Sequence, residues 1–369
     1  MIMLSKRRNT YLYHKTRYMN HTIKKLHSSC AISQNLTLSN TIISTNTAME
    51  INGENIYTLL KDRLKLTFTE FRTVNVSKGC DHRVMLINLI DCQIDRLIVK
   101  EPLSEYDKIH NEILGCQIAE NGQVTAPRIL LHDSAYLVET CIGEMDFYEY
   151  FISINAPEKK EIINNFYKHV GRNLAKFHSA NNGEGFGKVI NFSSHLSKGY
   201  CPRGMYKTAS EYINSWFSFE SDIFLPEKNI LTEEEISQCR RYWIENQEFV
   251  NNVKQTTLLH GDVDLSNIRV DSDGQFRGFV DFGDAYIGDC LDDLSRLYVH
   301  LYGQVDWTAL VNGYEEIAGK QAVDERKLKV YSFLLLSWII PHSKKNLDIE
   351  KPNRYHFYKS VFIRLISNK

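Results

Sequence analysis

Apolar and polar positions change their rhythm once along this chain. Ile56 to Leu66 predicts a short helix. Phe71–Ser77, His82–Ile90 and Arg96–Lys100 are short apolar runs rich in β-branched residues and predict strands. Ser104 to Glu120 reads as a helix, with Ile109, Ile113, Cys116 and Gln117 near one face. Two further apolar runs, Arg128–Leu131 and Tyr136–Ile142, are split by the turn-like His132-Asp133-Ser134. After Gly143 the stretches lengthen to helical size. One opens at Ala156-Pro157-Glu158 and runs to about Ser179, with Pro157 where a first helical turn tolerates it. Others are predicted over 206–222, 232–252, 290–302, 306–318, 324–340 and 355–367. One β-rich interruption is expected, Asn267 to Phe282, where Asp271-Ser272-Asp273-Gly274 turns a hairpin. The division is a β-rich lobe over 50–142 with one main helix, then a larger helical lobe over 143–369.

Composition narrows the class. With 43% hydrophobic and 24% charged residues among 369, the chain is no disordered polymer and can bury a core without staples. The apolar run Phe333–Ile340, interrupted by Ser337, is too short to cross a bilayer, so no membrane partner is expected. Eight cysteines are widely spaced with no CxxC pair, which argues against zinc and a disulfide scaffold and for a reducing compartment.

Charge separates one segment from the rest. Residues 1–49 hold seven basic residues and no acidic one, so the net −1 divides into +7 there and −8 over the remainder. An acidic body is a poor general nucleic-acid binder. The basic, Ser-rich, acid-free segment reads as a disordered tail, or an extension upstream of a start at Met49. A mitochondrial presequence shares those traits, which would make the location mitochondrial rather than the otherwise expected cytoplasm.

The chemistry concentrates in two loops. An apolar run stops at His260, and the loop His260-Gly261-Asp262-Val263-Asp264-Leu265-Ser266-Asn267 leads into the hairpin. Nineteen residues past Asp262, the second hairpin strand ends at Val280-Asp281-Phe282-Gly283-Asp284. A loop carboxylate, an amide five residues on and a carboxylate after a hairpin can converge on one point. That suits phosphoryl transfer, in which one carboxylate handles a hydroxyl while the other and the amide oxygen hold Mg²⁺ against nucleotide phosphates.

At these residues the sequence resembles the aminoglycoside phosphotransferase and choline kinase group of small-molecule kinases. Their HGDxxxxN loop matches His260, Gly261, Asp262 and Asn267. Their metal segment matches Asp281-Phe282-Gly283-Asp284, Gly288-Asp289 and Asp293-Leu294. The resemblance spans about residues 65–320 and implies an α+β, two-lobed, protein-kinase-like fold. It makes Asp262 the catalytic base, with His260 bracing the catalytic loop, and Asn267 and Asp281 the Mg²⁺ ligands. ATP or GTP is the implied phosphoryl donor and a small-molecule hydroxyl the acceptor. Asp289 and Asp293 are assigned to capping or bracing the following helix, and His178, ending the helix from 157, to a structural contact.

The first lobe adds Leu97-Ile98-Val99-Lys100, a strand ending in lysine, with Glu112 twelve residues on as its ion-pair partner. No GxGxxG is present; the turn Ser77–His82, with Gly79, resembles the shorter nucleotide loop of the small-molecule kinases. Glu139-Thr140-Cys141-Ile142-Gly143 joins the lobes, and the resemblance implies that Glu139 and Cys141 present backbone groups to the base. The long connection from Asn181 to Arg203 is either acceptor-lining or plain surface. Asp284, Asp289, Glu144 and Asp146 favour a cationic acceptor such as an aminoglycoside, amino alcohol or amino sugar. The alternative is a non-catalytic kinase-like binding module. A protein kinase conflicts with Gly261 and with the absence of an APE segment after Asp281.

Overall fold

Period-two alternation dictates what the first sheet shows to each side. The computed structural model describes residues 50–51, 54–76, 82–102, 108–133, 136–153, 159–191, 201–303, 306–345 and 352–367. The basic segment, Gly79 in its turn, the expected helix start at Ser104 and Pro157 lie outside these residues. Strands β1 (Glu70–Val76), β2 (His82–Ile90), β3 (Arg96–Pro102), β4 (Ile129–His132) and β5 (Leu137–Thr140) form one antiparallel sheet. Its order is β1-β2-β3-β5-β4. Met85, Ile87, Leu89, Leu97, Val99 and Val138 share one core with the irregular helical turns at Ile56–Thr58 and Leu59–Arg63. The alternate positions, Lys100 on β3 and Leu137 and Glu139 on β5, face the other way.

That second face is covered by α1 (Ile109–Asn121). Ile109 and Ile113 pack on Leu137, while Leu114, Cys116, Ile118 and Ala119 join the core of the second lobe. Buried on two sides, α1 has no strongly amphipathic pattern. Gly115 lets it approach the second lobe, since a Cβ there would lie 2.4 Å from the Phe282 ring.

The second lobe is built on helices α2 (Phe147–Ser153), α3 (Lys159–Ser179), α4 (Ala209–Asn214), α5 (Glu233–Asn246), α6 (Cys290–Leu301), α7 (Trp307–Ala318), α8 (Glu325–Lys345) and α9 (Pro352–Ile366). Caps mark their starts: Thr208 with Glu211 and Thr232 with Glu235 form capping boxes, and Asp289 and Asp306 cap α6 and α7. The helix expected over 206–222 is a correction. Only Ala209–Asn214 is α-helical, because Phe217 turns inward onto Trp243 and Phe333, at 4.9 and 5.9 Å between ring centroids.

The expected hairpin is present as β10 (Ile268–Val270) and β11 (Phe276–Phe279), extended by the short β6 (Met145–Asp146). A second sheet was not expected. It comprises β7 (Phe186–Val189), β8 (Gly204–Tyr206), β9 (Thr257–Leu259) and β12 (Tyr286–Gly288), in the order β8-β7-β12-β9. Strands of three or four residues carry too little alternation to be read from sequence. This sheet places the site, because Leu259 pairs with Tyr286. The loop leaving β9 and the loop entering β12 therefore emerge side by side. Among the described residues no helix is long and apolar enough to cross a membrane.

Helices α3 and α7 meet at glycines. A Cβ on Gly313 would lie 2.0 Å from the Lys168 carbonyl oxygen, and one on Gly171 2.1 Å from that of Leu310. Gly313→Ala is expected to force the helices apart at a cost of about 2 kcal/mol. The readout is a lower urea midpoint with an unchanged slope; an unchanged midpoint would contradict the packing.

Candidate functional site

The parity of β3 and β5 brings three charged side chains together. Lys100 Nζ lies 2.9 Å from Glu112 Oε1 on α1 and 3.0 Å from Glu139 Oε1 on β5. The expected Lys100–Glu112 pair is thus formed, with Glu139 as a second carboxylate on the same ammonium. Burial opposes the Lys100 charge, but Glu112 and Glu139 outweigh it, and its pKa sits well above the ordinary lysine value. Glu139 responds in the other direction. Burial pushes its carboxyl up to about 7 despite Lys100, and its Oε2 has no hydrogen-bond partner. Glu112, Cys116 and Glu139 present ligand atoms within 4.8 Å of one another, but the Lys100 ammonium already serves both carboxylates.

The expected backbone use of the inter-lobe segment needs revision at Cys141 alone. The Glu139 side chain turns inward to Lys100, and the Cys141 N–H donates to the Arg96 carbonyl at 3.1 Å. That N–H is therefore spent within the protein rather than offered to a base.

The catalytic-loop candidate is held from behind. Asp293, fully buried on α6, accepts the His260 N–H at 2.7 Å and the Gly261 N–H at 2.9 Å. His178, at the end of α3, adds its Nε2 to Asp293 at 3.1 Å. Burial would raise the Asp293 pKa, but these bonds and the neighbouring imidazoles hold it below the usual carboxylate value. Gly261 has φ of +77°, and a Cβ there would lie 2.1 Å from the Asp284 carbonyl oxygen. The loop can therefore lie against the Asp281–Asp284 turn only with glycine at this position.

His260 braces the loop. Its Nε2 bonds the Val280 carbonyl at 3.1 Å, its Nδ1 accepts the Asp262 N–H at 3.3 Å, and its ring lies 4.7 Å from that of Phe282. Burial lowers its pKa, so the ring is neutral. Asn267 sends its Nδ2 to the Asp262 carbonyl at 2.8 Å and to Asp262 Oδ2 at 3.0 Å. Asp264, which the sequence reading passed over, accepts from the Ser266 and Asn267 N–H groups and sets that turn. Its signal was the Asp-x-Ser-Asn pattern of an Asx turn.

Asp281 sits in the left-handed region at φ +70°, at the end of the hairpin. Its charge reaches Lys100, Asp262 and Asp284. Asp262 is raised well above the ordinary carboxylate value, first by burial and then by Asp264 and Asp284. Asp284 is raised by burial against the pull of Lys108, whose Nζ lies 3.1 Å from Asp284 Oδ1. Carboxylates so crowded call for a cation. The donor set of Asp281 and Asn267, with the Asn267 amide oxygen turned away from Asp262, fits Mg²⁺ by its oxygen chemistry.

Three of the four acids expected to attract a cationic acceptor have protein partners. Asp289 caps α6 at Leu291 N and pairs with Lys327 at 2.9 Å. Asp284 pairs with Lys108, and Asp146 accepts the Glu149 N–H at 2.8 Å. In the Asn181–Arg203 connection, β7 is tied into the second sheet, β8 follows directly at Gly204, and residues 192–200 lie outside those described.

No curated protein sequence matches the chain. A thermostable mutant of aminoglycoside phosphotransferase APH(4)-Ia, in ternary complex with AMP-PNP and hygromycin B, is similar in structure. It has a TM-score of 0.56 at 12% identity, covering 84% of this chain and 98% of that one. The macrolide 2'-phosphotransferase MphH of Brachybacterium faecium gives 0.51 at 11% identity, over 83% and 96% of the two chains. A fructosamine-3-kinase, itself assigned only by inference, from Thermobifida fusca YX-ER1 gives 0.51 at 15%, over 84% and 95%. These likenesses show the two-lobed, protein-kinase-like fold. The model of the phosphotransferase enzyme family APH matches residues 73–331, well over half of the sequence, and the chain belongs to that family.

Proposed function

We propose that the cleft transfers the γ-phosphoryl group of ATP or GTP to a hydroxyl of a small polar molecule. The observations that support this reading are the Asn267 Nδ2 bonds to Asp262 at 2.8 and 3.0 Å and an Asp281 charge that acts on both Asp262 and Lys100. Asp262 accepts the hydroxyl proton as that oxygen bonds to the γ-phosphorus, and the bond from phosphorus to the bridging oxygen breaks to release the diphosphate. Asn267 aims the Asp262 carboxylate through its Nδ2. Lys100, fixed by Glu112, meets phosphate charge, and Gly79 belongs to the nucleotide turn. Bound at Asn267 and Asp281, Mg²⁺ supplies charge neutralisation to the phosphates. Chemistry of this kind rests on positioning and fixed charge rather than on covalent catalysis. The AMP-PNP complex of the similar aminoglycoside phosphotransferase supports a nucleoside triphosphate as donor.

An aminoglycoside, amino alcohol or amino sugar is the acceptor class the acidic residues suggest, with Asp284 and Asp289 already paired to Lys108 and Lys327. The charge of the acceptor is decided by what else lines the cleft beside Asp262.

Asp262→Asn is expected to lower kcat by about 10²- to 10⁴-fold. The Kd for MgATP should stay within about threefold of wild type, read by calorimetry. Turnover at the wild-type rate would remove Asp262 as the base. Nucleotide binding without a phosphorylated product from any acceptor would favour a binding module.

Glu139 makes stability pH-dependent. Its folded pKa of about 7 exceeds the ordinary 4.5, so its contribution is complete below 4.5 and is lost as pH rises through about 7. Glu139→Gln removes that loss. Relative to wild type its Tm should rise by about 2–4 °C more at alkaline than at acid pH. An equal difference at both would show that Glu139 titrates normally.

A further inference from the structure

Charge is out of balance around one buried ammonium. Lys100 on β3 stands between two carboxylates, Glu112 Oε1 at 2.9 Å and Glu139 Oε1 at 3.0 Å. Both carboxylate side chains are only 3% exposed, so solvent does little to screen them. Two ionised carboxylates on one ammonium leave one negative charge in excess, in an interior that solvates charge poorly. The other described groups that face Glu139 do not relieve it. Glu112 on α1 and Asp281 after the hairpin add negative charge, and burial keeps the Cys116 thiol on α1 neutral. On β4, the residue paired with Glu139 is the apolar Ile129.

The two carboxylates are not equivalent. Glu112 stands on α1, which is anchored to the Asp281–Asp284 turn by Lys108 on Asp284 and by Asn111 on the Gly283 carbonyl, each at 3.1 Å. Glu139 spends Oε1 on Lys100, while its Oε2 is buried with no hydrogen-bond partner. An ionised oxygen there lacks a donor, whereas a protonated one carries its own hydrogen. The folded pKa of about 7 agrees with that geometry. Burial raises it first, Lys100 pulls it down, and Glu112 pushes it up again. Near neutral pH Glu139 is therefore divided between its two forms, and the hold of Lys100 decides the division.

We propose that nucleotide binding is coupled to proton uptake at Glu139. Phosphate oxygens that contact the Lys100 ammonium take a share of the charge that holds Glu139 ionised. The carboxylate answers by forming an O–H bond with a proton from solvent, and returns that proton when the nucleotide leaves. Glu112 keeps Lys100 in place throughout. Glu139 is then a positioning residue that removes the surplus charge and frees the ammonium for phosphate. The coupling rests on the nucleotide-binding half of the phosphotransferase reading and is independent of the acceptor.

Calorimetry of MgADP binding to the full chain, repeated in buffers of different ionisation enthalpy, counts the protons exchanged without turnover. For a tenfold rise in proton affinity at Glu139, wild type should take up about 0.5 proton more than Glu139→Gln at pH 7.5, and less than about 0.1 more at pH 5.5. Taking the difference between the chains removes protons exchanged by the nucleotide, the metal ligands and Asp262. Linkage then requires the wild-type Kd to weaken by about five- to tenfold relative to the variant from pH 6 to pH 9. Glu139→Met, also without a titrating group, should match Glu139→Gln, and a cooperative thermal melt shows that each variant is folded. If neither variant binds, net uptake by wild type at pH 7.5 supports the coupling and its absence overturns it. Equal proton counts in wild type and variants, or net release by wild type relative to them, overturns the coupling and leaves nucleotide binding standing. Failure of wild type to bind MgADP overturns the nucleotide reading and, with it, the coupling.

Discussion

A single carboxylate with no exposed surface holds three parts of the second lobe in register. Asp293 receives two backbone N–H groups of the catalytic loop and the imidazole at the end of α3, while itself standing on α6. Each donor offsets the cost of burying a charge, and together they keep it ionised. The consequence is positional. With His260 and Gly261 clamped from behind, the next residue, Asp262, is presented at the front with its backbone fixed. Gly261 can then lie against the Asp284 carbonyl, so the two acid-bearing loops form one surface. Loss of the Asp293 charge would leave loop N–H groups unpaired in the interior and free Asp262 to wander.

The first lobe is tied to that surface through α1. Phe282, wedged against Gly115 and packed at a tilt beside the His260 and Phe177 rings, fixes the helix that carries Glu112. The Asn111 side chain reinforces the junction by donating to the Gly283 carbonyl at 3.1 Å. The position of Lys100 therefore depends on the same turn that carries Asp281. Sharing the ammonium between Glu112 and Glu139 leaves a buried site with one carboxylate in excess. Transfer of the Lys100 charge to nucleotide phosphates would have to be balanced by a proton on Glu139.

Much of this could be read from residue order. The β-rich first lobe, the hairpin and both acid-bearing loops lie where the hydrophobic pattern and the two motifs put them, and Lys100 meets Glu112. What could not be read depends on contacts distant in sequence. The second sheet is made of strands too short to alternate, and the end of α4 is set by Phe217 seeking Trp243 and Phe333. The inward turn of Glu139 was available in principle. It shares parity with Leu137 on β5, and therefore a face with Lys100. Likewise, a sequence does not reveal that Lys327, Lys108 and a helix end bond to three of the acids near the motifs.

The account stands or falls on where the γ-phosphoryl group goes. ³¹P NMR of MgATP incubated with the full chain and hydroxyl-bearing acceptors tests that directly. The γ resonance should decline as a phosphomonoester resonance grows in equal amount with ADP. ADP accompanied only by inorganic phosphate, or an unchanged triphosphate spectrum across all acceptors, would contradict it.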